Sequence, residues 1–393
     1  MAPSRVCPVQ AAIPAALLLF CALLAAGCTD AAGPPGLPAD GPAPAATTAA
    51  GGASPQIPAP TPVPAGIVPC PAATPAYTEH AFSTRFEDDV LAISVRVNES
   101  IRCGAALAGG AWPAGASWDD DAAIRAYYAG YIDDPAMQAF FDDLMAPFQH
   151  LRYAQPLSDQ EYLELIITFV QQIPYDAQAP PLPRYPVGVI AAETGDCDEK
   201  SLLLLGMLAH EGYDVALIIF PGERHAAAGI RITPSGNPPF RVFATAANGK
   251  YFFIETTAPT YIGLYPDRFA DAEARVLPIG DGDKRFDRVN YLCFITDSYN
   301  KIRDRLVFMA DQMDAWKGEI DSLASRLQYG TYESKDEWDA DYARYSQLIG
   351  KYNSYVEKYN TYREMEAYIR EHPHDIAGTY RRIENSKVME ITI

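Results

Sequence analysis

Three residues of this chain have the types and settings that acyl-transfer chemistry requires. The first is Cys197, in "GDCDEKSLLLLGMLAHEGYDV". Gly195 allows a tight entry, Asp196 is an N-cap, and Glu199 stands three residues later in a capping-box arrangement, so the spacing predicts a helix that opens at Cys197 and stops at Gly212. A thiol at the first helical position meets unpaired backbone N–H groups and the positive end of the helix dipole, both of which favour a thiolate. Asp196 and Asp198 work against it, so a positive partner is needed. Among six histidines, only His225 in "GERHAAAGI" sits at the start of a strand following this helix. Glu255 ends the next strong strand, "KYFFIETTAP". A carboxylate there can hold an imidazole in one tautomer and stabilise its charged form. Each residue also has a plainer reading: a buried structural thiol, a strand-edge histidine and a solvated strand end.

The elements that must position these residues are legible from period and punctuation. "SDQEYLELIITFVQQI" predicts a helix capped by Ser158 with Glu161 at N3 and one face of Tyr162, Leu165, Ile166, Phe169 and Val170. "DDDAAIRAYYAGYI" and "DPAMQAFFDDLMAPFQHL" predict two more, the second opened by Asp134 before Pro135. "HAFSTRFEDDVLAISVRV" alternates like a strand in its second half. "DVALIIF", "AAAGIRI", "FRVFATA" and "KYFFIETT" read as strands divided by turn signals. Short strands beside helices, without β-α-β alternation, predict an α+β fold with an antiparallel sheet. From 299 to 369 the pattern becomes heptad-like. Ile302, Leu306, Met309, Met313, Trp316, Ile320, Leu323 and Leu327 form one seam; Trp338, Tyr345, Leu348, Tyr352, Tyr355, Tyr359, Tyr362 and Ile369 form another. Two seams joined by a short polar loop predict an antiparallel helical hairpin, with the tyrosines as packing.

"GDCDEKSLLLLGMLAHEGYDVALIIF" resembles the nucleophile segment of the transglutaminase-like superfamily. "FVQQIPYD" and "RYPVGVIAAETGDC" resemble the approach to the site in its prokaryotic members, and "KYFFIETTAPTYIG" resembles the strand carrying the third residue. The likeness covers 157 to 265. It implies a papain-like fold with the cysteine helix packed on an antiparallel sheet in a catalytic core at 157–290, flanked by N-terminal α/β elements at 76–156 and a C-terminal hairpin and tail at 291–393. By this resemblance Cys197 is the nucleophile, His225 the base and Glu255 the orienting acid. The implied activity is hydrolysis of an amide or peptide bond through a thioester, with a protein or peptide substrate and no cofactor or metal. A cross-linking transglutaminase and a non-catalytic surface binding module are the alternatives. Two positions depart from the family pattern. Its third residue is more often Asp, and "HAAAG" puts alanines where an aromatic and a hydrophobic residue usually follow the histidine, leaving a roomier or a degraded pocket. The oxyanion would be met by the Cys197 N–H and a side-chain donor, Gln171 or Gln172, each of which also reads as an exposed helix glutamine.

The ends of the chain suggest where it works. Arg5 is the one charge before an apolar run from Ala11 to Ala26, which closes in "LLAAGCTD". That is the pattern of a signal peptide over 1–28, and "LAAGC" resembles a lipobox that would put lipid on Cys28. Residues 29–75 are rich in Pro, Ala, Gly and Thr and read as an extended tether. The expectation is an exported protein, held at a membrane by lipid or by its N-terminal segment. Export permits disulfides, and Cys70 and Cys103 are the expected pair. His372 and His374 in "HPH" read as a surface turn rather than a metal site. A net charge of −19 with no basic patch argues against nucleic acid as a partner.

Overall fold

The structure is a computed structural model. It describes residues 66–390, apart from 72, 73, 75, 109–116, 180, 181, 234–237, 239 and 246–248. The expected signal peptide, lipobox and most of the tether lie outside the described residues. The described chain divides into two compact units, one of residues 66–297 with 369–385 and one of 298–368 with 386–390.

The first unit begins ahead of the expected boundary at 76. Ile67 is buried, its N–H donates to Asp134 Oδ2 at 2.7 Å, and Cys70 is disulfide-bonded to Cys103. The Pro-rich composition conceals this, because the anchoring comes from partners far along the chain. Strands β1 (Tyr77–Phe86) and β2 (Asp89–Asn98) then pair in a ten-residue antiparallel ladder. The alternation is plain in β2, where Leu91, Ile93, Val95 and Val97 face inward. In β1 the inward set is Thr78, His80, Phe82, Thr84 and Phe86, and its mixed polarity hides the strand from a hydrophobic pattern.

Helix α1 (Glu99–Ala108) carries Cys103. Helix α2 (Asp121–Ala129) is capped by Asp120, and α3 (Pro135–Ala154) and α4 (Asp159–Gln172) start where their caps predict. Asp134 accepts from Ala136 N–H, and Ser158 with Glu161 completes a capping box. A short α5 (Pro186–Ala192) precedes α6 (Cys197–His210). Residues Glu199 to Leu208 of α6 are all buried, so this helix lies in the core of the unit. Gly206 makes that possible at one crowded point, since a Cβ there would meet the ring of Phe141.

The sheet comprises β3 (Asp214–Phe220), β4 (His225–Arg231), β5 (Phe243–Ala244), β6 (Lys250–Ile254) and β7 (Arg275–Asp281), in the order β5-β6-β4-β3-β7 with every pair antiparallel. The fold is therefore α+β with an antiparallel sheet. Helix α6 packs on β3, β4 and β7. The segment "FRVFATA" contributes only the two residues of β5. Phe220, Phe243, Phe253 and Phe269 form an aromatic cluster on the sheet.

Helices α7 (Val289–Tyr329) and α8 (Lys335–Glu371) carry the two seams. Cross-links run Arg305 to Tyr362, Glu319 to Arg344 and Arg326 to Asp341. Paired numbers that rise on one helix as they fall on the other establish the antiparallel hairpin. Ile302, Met309, Ile320, Tyr345, Leu348, Tyr352 and Tyr362 are buried along it, so the tyrosine stripe is packing. Helix α9 (Ile376–Ser386) follows, and 369–385 belong to the first unit. There Ile376 N–H donates to Glu164 Oε2 at 3.1 Å. His372 and His374 do not form a surface turn: both are buried, and the ring of His374 bonds the Glu87 carbonyl at 3.0 Å. No helix among the described residues is long and apolar enough to cross a membrane.

Candidate active site

The start of α6 is fastened on both sides. Asp196 accepts from Glu199 N–H at 3.0 Å, and Asp196 N–H donates to Glu199 Oε2 at 3.2 Å, completing the capping box. Glu199 is itself fully buried. Arg184 neutralises it, donating from Nε at 2.7 Å and from Nη2 at 2.6 Å. Ahead of the cap, Gly195 lies in a parallel bridge with Tyr175, with Gly195 N–H donating to Pro174 O and Asp176 N–H to Gly195 O. Cys197 is thus the first residue of a helix whose entry loop is pinned through backbone and side chain alike.

The thiol faces acid. Its S–H points to Asp198 Oδ1 at 3.8 Å. Burial first, and then the charge of Asp198, push it up to about 12, against a smaller pull from the backbone N–H of Ala226. Asp196 also opposes ionisation; its own carboxyl is held well above the usual range by burial and by its hydrogen bond with Asp198. The helix-start argument for a standing thiolate therefore loses to desolvation and like charge.

His225 opens β4, and Glu255 follows the last residue of β6. Nε2 of His225 lies 3.4 Å from Glu255 Oε2, with both side chains buried. Nε2 makes no hydrogen bond at this orientation, so the two groups face each other a small ring movement short of one. Oε1 of Glu255 is saturated by Thr256 N–H at 3.0 Å, Thr257 N–H at 2.9 Å and the Thr257 hydroxyl at 2.8 Å. Burial alone would raise this carboxyl, but His225 and the Thr257 donors outweigh it and hold it down to about 2. The imidazole is stacked on Phe269, with centroids 4.9 Å apart and planes at 14°. The side of His225 that looked roomy in sequence is thus filled by Phe269. Ala226, Ala227 and Ala228 are buried, and Ser201 of α6 reaches the Ala226 carbonyl at 3.3 Å, so small side chains let the cysteine helix approach the histidine strand closely.

Of the expected site residues, His225 and Glu255 meet directly, and the backbone of Ala226, next to His225, acts on the Cys197 thiol. Thiol and imidazole are not hydrogen-bonded to each other. Neither Gln171 nor Gln172 is a free donor. Gln171 is buried, and its amide donates to the carbonyls of Glu255 at 2.9 Å and Thr260 at 3.0 Å. Gln172 pairs with the backbone of Arg85 through both ends of its amide. Gln171 has both amide hydrogens committed to these carbonyls, and Gln172 is held at the backbone of Arg85.

Three residues near the site escaped the sequence. Tyr175 has its hydroxyl raised to about 12 by burial and then by Cys197, Asp196, Asp198 and Glu255, while it remains half-exposed. Tyr128 on α2 is raised by burial and by Asp198 and Cys197 among its neighbours. Lys200 lies fully buried one turn along from Cys197. A charged residue interrupting an apolar helix was the signal available for it. Among the described residues no group of three or more His, Cys, Asp or Glu could hold a metal ion. No family model, curated protein or solved structure matches this chain.

Proposed function

We propose that the protein is an exported cysteine hydrolase of amide or peptide bonds, in the manner of the transglutaminase-like superfamily that its "GDCDEKS" segment resembles. The observation that carries this reading is the buried His225–Glu255 pair, 3.4 Å apart, set next to Ala226, whose backbone N–H favours the Cys197 thiolate. With Nε2 turned to Glu255, Nδ1 of His225 is the atom to take the thiol proton. Because the resting thiol is neutral, the proton leaves as sulfur attacks the carbonyl carbon, not before. The imidazolium so formed faces Oε2 of Glu255, the oxygen not already bonded to threonine. The developing oxyanion meets the Cys197 N–H, one of the first-turn donors that a helix leaves unpaired. His225 then returns the proton to the departing amine, leaving a thioester, which water cleaves with His225 again as base.

The thiol raised to about 12 is also what an inert cysteine in a binding module would show, so the two readings must be separated by reactivity. Iodoacetamide, which alkylates the thiol directly, separates them. Hydrolase chemistry expects Cys197 in the full chain to be alkylated near neutral pH at least about tenfold faster than in His225→Ala, because the base lowers the effective barrier to deprotonation. Equal rates in the two proteins would reject it. Incorporation of a labelled amine into glutamine peptides would redirect the reading to cross-linking.

A further inference from the structure

Lys200 precedes the leucine run of α6, and its side chain has no solvent exposure. Its Nζ donates to the carbonyl of Ile173 at 2.5 Å and to that of Gln171 at 3.2 Å. These carbonyls close α4, where a helix leaves acceptors unpaired and presents the negative end of its dipole. Two connections lead from this point to the proposed site. Along the backbone, Pro174 and Asp176 bond Gly195, two residues ahead of Cys197. Through its side chain, Gln171 holds the carbonyls of Glu255 and Thr260. Burial disfavours the ammonium and lowers it to about 8, while the charge of Glu255 opposes that fall. A buried charge kept at such a junction is costly unless its hydrogen bonds do something an apolar side chain would not.

We infer that Lys200 is a positioning residue of the cysteine site: by fixing the end of α4 it sets the nucleophile loop and the Glu255 strand end at one spacing, so that Cys197 and the His225–Glu255 pair stay in register. This rests on the hydrolase reading above. Met at 200 keeps length and burial but leaves the two carbonyls without their donor. Leu at 171 leaves Lys200 in place and removes the link to Glu255.

The test is the pH dependence of iodoacetamide alkylation at Cys197, read from the mass of its peptide in the full-length protein, with folding checked by circular dichroism and thermal melting. Wild type is expected to show an inflection in its rate profile that His225→Ala lacks. Folded Lys200→Met should lose that inflection, with a rate near neutrality about tenfold or more below wild type. Gln171→Leu should move the same way by a smaller factor. A merely structural lysine would lower the melting temperature and leave the profile in place. Folded Lys200→Met with the wild-type profile overturns the inference while the hydrolase reading stands. Should Lys200→Met not fold, Gln171→Leu decides by the same criterion. Absence of the inflection in wild type removes the hydrolase reading and this inference together.

Discussion

Glu255→Gln removes one negative charge and keeps the shape of a side chain that is 4% exposed. Its carboxyl is held from 4.5 down to about 2, against burial, by His225 and the Thr257 donors. At about 1.4 kcal/mol per unit, that depression amounts to about 3 kcal/mol of folding free energy at neutral pH. Because the folded value lies below the unfolded one, the contribution is fully present above about pH 4.5 and is lost as the pH falls towards 2. The variant has no such titration. The gap in unfolding free energy between wild type and Glu255→Gln should therefore be about 3 kcal/mol near pH 7 and shrink by about 1 kcal/mol near pH 3.5. Urea unfolding of both full-length proteins at the two pH values measures it. A gap that stays constant or widens at the acid end would refute the electrostatic account of Glu255, since the lost stability would then come from packing or from the threonine hydrogen bonds alone. The same variant should keep alkylation of Cys197 measurable, because the amide still faces the ring, but at a lower rate near neutrality.

Three further outcomes follow from the same geometry. Asp198→Asn removes the charge nearest the sulfur, so in a His225→Ala background the thiol should titrate about one unit lower and alkylate about tenfold faster at a fixed pH below its midpoint; an unchanged rate would mean that burial alone holds the thiol up. Cys197→Ala should abolish labelling at this position while lowering the unfolding free energy by no more than about 1 kcal/mol, because Ala suits a first helical turn. Gly206→Ala, which helix propensity would favour by about 1 kcal/mol, should instead destabilise by about 1 to 3 kcal/mol, since the new Cβ meets the Phe141 ring; a rise in melting temperature would show that the ring moves freely.

Much of this chain is determined by neighbours a few residues apart, and that part was legible. Ser158 with Glu161, and Asp196 with Glu199, mark helix starts because a cap and its N3 partner are three residues apart in sequence as in space. The seams from Ile302 and from Tyr345 mark a hairpin because a heptad period survives only when one face of each helix stays covered. Cys197, His225 and Glu255 could be singled out because each stands at the end of an element, where caps and turn signals mark the boundary in sequence. What remained hidden depends on contacts between distant segments. Gln171 and Gln172 sit side by side on one helix, and only the arrival of Glu255 and Thr260 at one, and of Arg85 at the other, consumes both amides. The tether's final residues join the fold through Asp134 and Cys103. The thiol's resting proton was the largest reversal: the helix start that favours a thiolate is encoded locally, whereas the burial that overrides it comes from the packing of α6 within the unit, and desolvation of a charge exceeds what one helix dipole returns.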